Sequence, residues 1–421
     1  MHSPFSNSLS VRPMRVLIVG LNYAPEPVGI GPYTAGLAEA MVARGHEVSV
    51  VAGKPYYPQW RPYPDQPKGR RSGVENGVRI SRVPHYIPAE PTGARRIAHH
   101  ASFAASALGP AMAEARCKPD LVFTVAPSLL AVPVAARAAR KAAAPLWLHI
   151  QDFEVEAAFA TGLLQETSGL GRMALGVENR VLRMADMIST ISPQMCARLH
   201  EKGVPTRRIF ELRNWAAASF GFQSADASAY RRQWNLGSRK VALYSGNIAK
   251  KQGIEIIIEA AQRLKGRDDI AFVICGEGPN REALRELSAD LPNVQLHDLQ
   301  PAERMGDLLS LASVHLLPQI SGAADLVLPS KLTNMLRSGR PVIATAEPGT
   351  GLYDEVDGCG LLTPPGDAEA FAGAIAELVD DPQRCGGLGR AALYRAKERW
   401  DRDVLIDNFE RAALGLVQGA T

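Results

Sequence analysis

Residues 15–52, RVLIVGLNYAPEPVGIGPYTAGLAEAMVARGHEVSVVA, decide the fold. RVLIV is a run of branched apolar residues, the pattern of a strand buried on both faces. The loop GLNYAPEPVGIG follows. Tyr33, Leu37 and Met41 then recur four residues apart, an apolar helical stripe. RGHEVSVVA turns into a second strand. Strand, glycine loop, helix, strand is the βαβ unit of a doubly wound sheet. Gly29 and Gly31 stand where the loop meets the helix, and glycine there lets backbone approach a ligand closely. The full dinucleotide signature GxGxxG is absent.

Working outward, the alternation continues. Residues 54–103 read as an irregular excursion rich in Pro, Tyr and Arg, with KGRR at 68–71, Arg95-Arg96 and His99-His100. LVFTV (121–125), LWLHI (146–150) and MISTI (187–191) read as further buried strands with Ala-rich helical stretches between them. The pattern lapses around Phe220–Ala229, which predicts a link between domains. It then restarts, with strands expected at 241–246, 271–276, 293–298, 314–318 and 341–345 and helices filling most of 367–418. The chain is therefore α/β, two Rossmann-like doubly wound halves, each with a glycine pair after a strand: Gly29/Gly31 and Gly276/Gly278.

The totals exclude several classes. The chain has 421 residues and a net charge of +4, with the excess (+6) in residues 1–120 and −2 in the remainder. That is too mild for a nucleic-acid binder but suits an anionic substrate or an anionic membrane surface. Five cysteines without a CxxC spacing predict a reducing cytoplasm, with neither a disulfide framework nor a zinc site. The first 14 residues lack an apolar core, so no secretory leader is expected. The longest uncharged apolar run, Leu121 to Ala136, holds two prolines and is too short to span a bilayer.

Candidate chemistry gathers at strand ends, where open α/β sheets bind ligands. His149 and Asp152 close LWLHI; the pair could serve as general acid and base or hydrogen-bond a sugar hydroxyl. In the second half, GNIAKKQG follows VALYS and places Asn247, Lys250 and Lys251 at a strand tip. In Gly322–Thr345, GAADLVLPSKLTNMLRSGRPVIAT, Ser330 reads as a helix N-cap, Leu332, Met335 and Leu336 as its apolar face, and Gly339 as its end. Lys331 falls in the first turn, where the helix dipole disfavours a cation; an anionic ligand would explain it. With Lys250 and Lys251 it could grip a diphosphate. The sequence has no GxxxxGK[ST], no HExxH, no GxSxG and no acidic cluster suited to Mg²⁺, so P-loop, zincin and serine-hydrolase chemistries are not indicated.

The segments GIGPYTAGLAEAMVARGHEVSVV, LHIQDFEVE, LYSGNIAKKQGIEIIIEAA, FVICGEGP, LPSKLTNMLRSGRPVIAT and GLLTPPGDAEAFAGAI together resemble the GT-B glycosyltransferases of family four, the group one glycosyltransferases, over nearly the whole chain. NYAPEPVGIGPYT, KPYYPQW, HIQDFEVE, GNIAKKQG and AADLVLPSKLTNML resemble in particular its colanic acid/exopolysaccharide subgroup, some of whose members are described as fucosyltransferases. The resemblance implies two Rossmann-like domains facing a central cleft. They would be an acceptor domain over 1–222, a nucleotide-sugar domain over 223–395, and a terminal segment, 396–421, crossing back to the first. It implies retaining transfer of a sugar from a nucleoside-diphosphate sugar to a lipid-linked or polysaccharide acceptor. No metal or other cofactor is expected, and the location would be cytoplasmic, peripheral at the inner membrane face. Gly29, Gly31, Asn247, Lys250, Lys251 and Lys331 would contact the donor phosphates, and Gly276, Glu277, Gly278, Ser330, Leu332 and Asn334 the nucleoside. His149, Asp152 and Asp325 would act at the reacting sugar. The family's usual pair of glutamates falls at Leu326 and Asn334, and its phosphate-binding Arg and Lys fall at Asn247 and Gln252. These departures imply a shifted phosphate grip, and they leave open a sugar-nucleotide epimerase or a non-catalytic nucleotide-sugar-binding protein.

Overall fold

The computed structural model describes residues 12–27, 29–64, 69–160, 165, 167–215, 225–248, 252–320 and 328–419. The chain forms two compact units. One comprises Met1–Ile191, Met195–Leu212 and Ile406–Thr421; the other comprises Ser192–Gln194 and Arg213–Leu405. The chain passes between them at Ile191/Ser192, Gln194/Met195, Leu212/Arg213 and Leu405/Ile406; the sequence places the domain boundaries at 222/223 and 395/396.

The first unit holds eight strands: β1 (Arg15–Gly20), β2 (Glu47–Gly53), β3 (Arg71–Glu75), β4 (Val78–Val83), β5 (Leu121–Ala126), β6 (Leu146–Ile150), β7 (Met187–Thr190) and β8 (Ile209–Glu211). Their spatial order is β3-β4-β2-β1-β5-β6-β7-β8. Every pairing is parallel except β3 with β4. The connecting helices are α1 (Gly31–Ala43), α2 (Gly93–Glu114), α3 (Val132–Ala142), α4 (Glu154–Ala160), α5 (Gly169–Met184) and α6 (Pro193–Glu201). The span read as irregular, 54–103, contains the β3–β4 hairpin and the start of α2. Its turn is Asn76-Gly77, both at positive φ (49° and 80°), the two-residue turn whose twist matches a hairpin.

The second unit holds β9 (Lys240–Ser245), β10 (Ile270–Cys275), β11 (Val294–His297), β12 (Val314–Leu317), β13 (Val342–Thr345) and β14 (Gly360–Thr363) in the order β11-β10-β9-β12-β13-β14, all parallel. Its helices are α7 (Ser228–Gln233), α8 (Glu255–Arg263), α9 (Arg281–Leu287), α10 (Met305–Leu311), α11 (Ser330–Arg337), α12 (Gly351–Val356), α13 (Ala368–Asp380) and α14 (Pro382–Trp400). Strands such as IAFVIC are buried at every position because helices cover both faces of a parallel sheet.

In each sheet the connections run outward in opposite directions from a central pair, β1/β5 in the first and β9/β12 in the second. Such switch points leave a crevice at the carboxyl ends of the two central strands, where open α/β sheets bind ligands. The last helix, α15 (Arg402–Gly419), closes on the first unit. Phe409 packs edge-on against Phe123 (5.4 Å) and tilted against Trp147 (4.9 Å). Arg44 pairs with Asp407 at 2.7 Å, and His46 meets Glu410 at 2.9 Å.

Candidate active site

The second unit's switch point brings several of the expected residues together. Beyond Ser245 the chain continues as Gly246-Asn247-Ile248, and beyond Cys275 as Gly276-Glu277-Gly278. The two extensions stay hydrogen-bonded: Gly246 N donates to Cys275 O (3.0 Å), Ile248 N to Glu277 O (2.8 Å), and Asn280 N to Ile248 O (3.1 Å). A Cβ on Gly276 would stand 1.9 Å from the Gly246 carbonyl oxygen, and one on Gly278 2.2 Å from that of Ile248. No side chain fits at either position without moving backbone, so the glycine pair is required by the packing of two strand ends. The same packing leaves a bare backbone surface at the crevice.

Lys331 reaches this surface from the first turn of α11. The nearest atoms to a Cβ on Gly246 would be Cδ and Nζ of Lys331, both at 3.4 Å. Lys331 Nζ donates to the Tyr244 hydroxyl (2.8 Å), which in turn donates to the Asn247 carbonyl (2.7 Å). The ammonium also lies 4.1 Å from the centroid of the Tyr244 ring. Among the described residues no carboxylate pairs with it. Burial therefore pushes the Lys331 pKa down to about 8. A half-buried cation with no carboxylate partner among the described residues, beside helix N–H groups and bare backbone, can accept an anion.

The other expected residues fall as follows. Ser330 opens α11 but is not its cap; the N-cap is Pro329, and no side chain caps the helix. Proline cannot continue the helix backward, so it, and not the serine, sets the start. The side chain of Ser330 lies outside the described residues, as do Lys250, Lys251 and Asp325. Leu332 is buried in the core. Asn334 Oδ1 is buried and has no hydrogen-bond partner among the described residues. Glu277 is exposed and ion-paired with Arg281 at 3.3 Å. Among the described residues no set of three His, Cys, Asp or Glu side chains is placed to hold a metal ion.

In the first unit, Gly29 (φ 74°) and Gly31 wrap the start of α1 around a carboxylate that sequence reading passed over. Glu26 accepts from Tyr56 N (3.0 Å), Tyr57 N (3.1 Å) and Asn22 Nδ2 (2.9 Å), and burial raises its pKa. A Cβ on Gly31 would stand 3.0 Å from Glu26 Cβ. Glu154 was also passed over; it accepts from the backbone N–H groups of Ser128 and Leu129 and braces the loop after β5. Glu26 sits in the loop after β1 and Glu154 opens α4 just past β6, so both stand beyond strand ends, which was the available signal.

His149 departs from the acid–base expectation. Its ring is buried against Phe123, with Nδ1 meeting Ser189 Oγ at 2.8 Å and Nε2 meeting Gln151 Nε2 at 2.9 Å. Burial pushes its pKa down to about 3, so it is neutral and fully engaged. It points into the layer beneath α15 because alternate residues of β6 face opposite sides of the sheet. Asp152, three residues on, is exposed past the strand end.

The family of Glycosyl transferase 4-like domains matches residues 28–215, and that of Glycosyl transferases group 1 matches residues 226–395. This chain belongs to the group 1 glycosyltransferases. Over 407 residues this glycosyltransferase is 38% identical to the colanic acid biosynthesis glycosyl transferase WcaI of Escherichia coli K12, covering 94% of this chain and 98% of that one. It is 26% identical to a GDP-mannose-dependent alpha-mannosyltransferase of Mycolicibacterium smegmatis, covering 96% and 98%. Among solved structures, HepE of Anabaena in complex with UDP matches with a TM-score of 0.65 at 16% identity, over 95% of this chain and 99% of that one. WaaG, a glycosyltransferase involved in lipopolysaccharide biosynthesis, matches with a TM-score of 0.57 at 17% identity, over 94% and 98%. These likenesses, with the two parallel sheets, give this glycosyltransferase the GT-B fold.

Proposed function

We propose that this glycosyltransferase moves a sugar from a nucleoside-diphosphate sugar to a lipid-linked or polysaccharide acceptor in exopolysaccharide synthesis, with retention at the anomeric carbon. The observation that carries this reading is Lys331, a half-buried ammonium at the switch point of the second unit that pairs with no carboxylate among the described residues. As the donor bond breaks, the departing nucleoside diphosphate gains negative charge. A cation and backbone N–H groups already fixed in place stabilise that charge without reorganising. Tyr244 holds Lys331 by its hydroxyl. Asn247, Lys250 and Lys251 are assigned to the same phosphates, as are Gly29 and Gly31 from the first unit. Gly276, Glu277, Gly278 and Ser330 are assigned to the nucleoside; Leu332, buried in the core, could meet it only through its backbone. The unpartnered Asn334 oxygen would accept from a ribose hydroxyl. Asp325 is assigned to the transferred sugar, with Asp152 as its alternate. No metal is required, because lysine and helix N–H groups supply the neutralisation.

Asn334 in a position where relatives of the family carry glutamate favours a second reading, a protein that binds a nucleotide sugar without turning it over. The test is a panel of nucleotide sugars, with and without a polyprenyl-diphosphate saccharide. Acceptor-dependent release of nucleotide is expected. Acceptor-independent isomerisation at C2 would replace the proposal with an epimerase, and binding without turnover would establish the second reading.

A further inference from the structure

We propose that β3 is a docking edge for a second copy of this chain, the two β3 strands pairing antiparallel about a twofold axis at Gly73. β3 stands at one end of the first sheet, with β4 as its neighbour on one side. Four of its five residues, Arg71 to Val74, are exposed. The other three end strands, β8, β11 and β14, carry no exposed residue. An open edge is a row of unpaired N–H and C=O groups, a template for another strand. Proline or a bulge commonly blocks such an edge. RSGVE has no proline, and its register against β4 runs unbroken from Arg71↔Arg82 to Glu75↔Val78.

The hairpin fixes which groups face outward. Glu75 and Val78 flank the two-residue turn and so form a bonded pair, and bonded and non-bonded pairs alternate from there. Arg71, Gly73 and Glu75 therefore bond β4, while Ser72 and Val74 turn their N–H and C=O groups outward. In a pairing centred on Gly73, Ser72 of each copy faces Val74 of the other, and each such pair exchanges both bonds. Arg71 of each copy then faces Glu75 of the other. Opposite charges directly across strands stabilise a pairing, and like charges oppose it. Arg71 is in need of such a partner: in its own hairpin it stands opposite Arg82, and among the described residues it makes no ion pair. Glu75 is bonded to Arg82 at 2.7 Å, yet its side chain remains 42% exposed and can accept a second guanidinium. A pairing centred on Ser72 or on Val74 loses the match of Arg71 with Glu75, so charge selects the register. Gly73 is a separate observation. Its φ is not positive, and a Cβ there would meet nothing within 4 Å, so neither conformation nor packing within the chain calls for glycine. Glycine weakens a strand interior and often marks the close approach of another backbone.

A second copy fits this edge better than an unrelated strand does, because β3 is complementary to itself in both hydrogen bonds and charge. Val74, 68% exposed, is set beside Ser72 of the second copy and leaves part of the solvent. β3 runs against β4 and β2, so joining it antiparallel to its own copy points the carboxyl ends of the two sheets in opposite directions. The seam is also separated from the β1/β5 switch point by β4 and β2. Each copy thus keeps its own crevice, and the pairing is independent of the donor and acceptor chemistry proposed above.

The test is sedimentation equilibrium of the full-length protein over a range of concentrations. A short seam buries little surface, so a reversible dimer with a dissociation constant on the order of 10 μM is expected. Arg71→Glu sets acid against acid, and Val74→Pro deletes an outward N–H without touching the ladder to β4. Each should weaken the dimer at least about tenfold, whereas Arg71→Lys should keep it. The urea midpoint of Arg71→Glu should match the wild type. Cross-linking fixes the register. In a Cys117→Ser background treated with diamide, Gly73→Cys should form a disulfide-linked dimer, because Cα atoms about 4.5 Å apart at the axis lie within disulfide reach. Arg71→Cys, whose two copies lie at opposite ends of the seam, should not. A wild type that stays monomeric at roughly tenfold or more above the expected constant overturns the proposal. So does a dimer that folded Arg71→Glu leaves intact, or one that Gly73→Cys fails to cross-link, since the contact then belongs to another face. None of these readouts depends on turnover, so failure of the transferase reading leaves the result standing.

Discussion

At the scale of single residues, Lys331 concentrates the argument. Its ammonium is desolvated, bonded to one phenol and, among the described residues, paired with no acid. A diphosphate would supply the missing charge, and a charge-assisted contact of this kind contributes roughly 1.5–3 kcal/mol. Lys331→Ala should therefore weaken donor binding at least about tenfold by calorimetry. The sign of the pH dependence follows from the depressed pKa. Only the protonated lysine attracts phosphate, and in the free protein it loses its proton near pH 8 instead of near 10.5. Affinity should fall as pH rises from 7.5 to 9.5, and Lys331→Arg, which stays charged, should flatten the profile. A flat wild-type profile would remove Lys331 from the phosphate site. Asp325 gives a separate prediction: Asp325→Ala should lose turnover while keeping its unfolding midpoint. Unchanged turnover would move the sugar contact elsewhere, with Asp152 the first candidate.

At the scale of elements, the two glycine-bearing strand ends act as one rigid piece. Gly276→Ala would drive a methyl group to 1.9 Å from the Gly246 carbonyl oxygen. The strands must part, and a loss of several kcal/mol is expected, roughly the range for overpacking a core or more. Its readout is a lowered urea midpoint together with weakened nucleotide binding; an unchanged midpoint would mean that the ladder past Ser245 and Cys275 is not formed. This motif was visible in sequence, because a strand followed by glycine, acid, glycine implies close backbone approach. The parallel sheets were visible for the same kind of reason: runs such as LVFTV and FVIC have no polar alternation. The β3–β4 hairpin was missed although Asn76-Gly77 announces it, because its strand RSGVE is mostly exposed and carries little apolar signal. His149 shows the opposite failure. Strand-end position suggested chemistry, but the two-residue period of β6 turns that ring into the core, and no local pattern reveals which face will be covered by a helix from the far end of the chain. Glu26 was hidden because a carboxylate that accepts three N–H groups is legible only once the loop has closed on it.

At the scale of the whole molecule, stability depends on buried polar groups that must keep one protonation state. In the second unit, Glu355 is buried and bonds Arg213 (2.6 Å), the first residue of the unit's long segment, and Arg399 (2.9 Å), near that segment's end. Glu355→Ala strands two guanidinium groups and should cost about 3–5 kcal/mol in urea unfolding. Buried histidines set the response to acid. Burial pushes His85 and His149 of the first unit, and His315 of the second, down to about 3. His99 and His100, also of the first unit, are pushed to about 4. In the unfolded chain these rings take up protons as pH falls through 6.5; in the folded protein they do not until pH 4 or below. Unfolding therefore binds protons throughout that window, and stability falls as pH drops below 6.5. The loss is on the order of 1 kcal/mol per histidine per pH unit. Glu26 and Glu154, whose carboxyls burial raises, act in the opposite sense and offset part of the loss. Four of these five lie in the first unit, so hydrogen exchange read by peptide between pH 7 and 5.5 should show β4, α2 and β6 losing more protection than β9, β10 and α13. Protection that falls equally in both units down to pH 5.5 would mean that the four rings are solvated, against the packing of the His85 ring edge-on to Tyr56 (5.4 Å between centroids) and to His99 (4.9 Å).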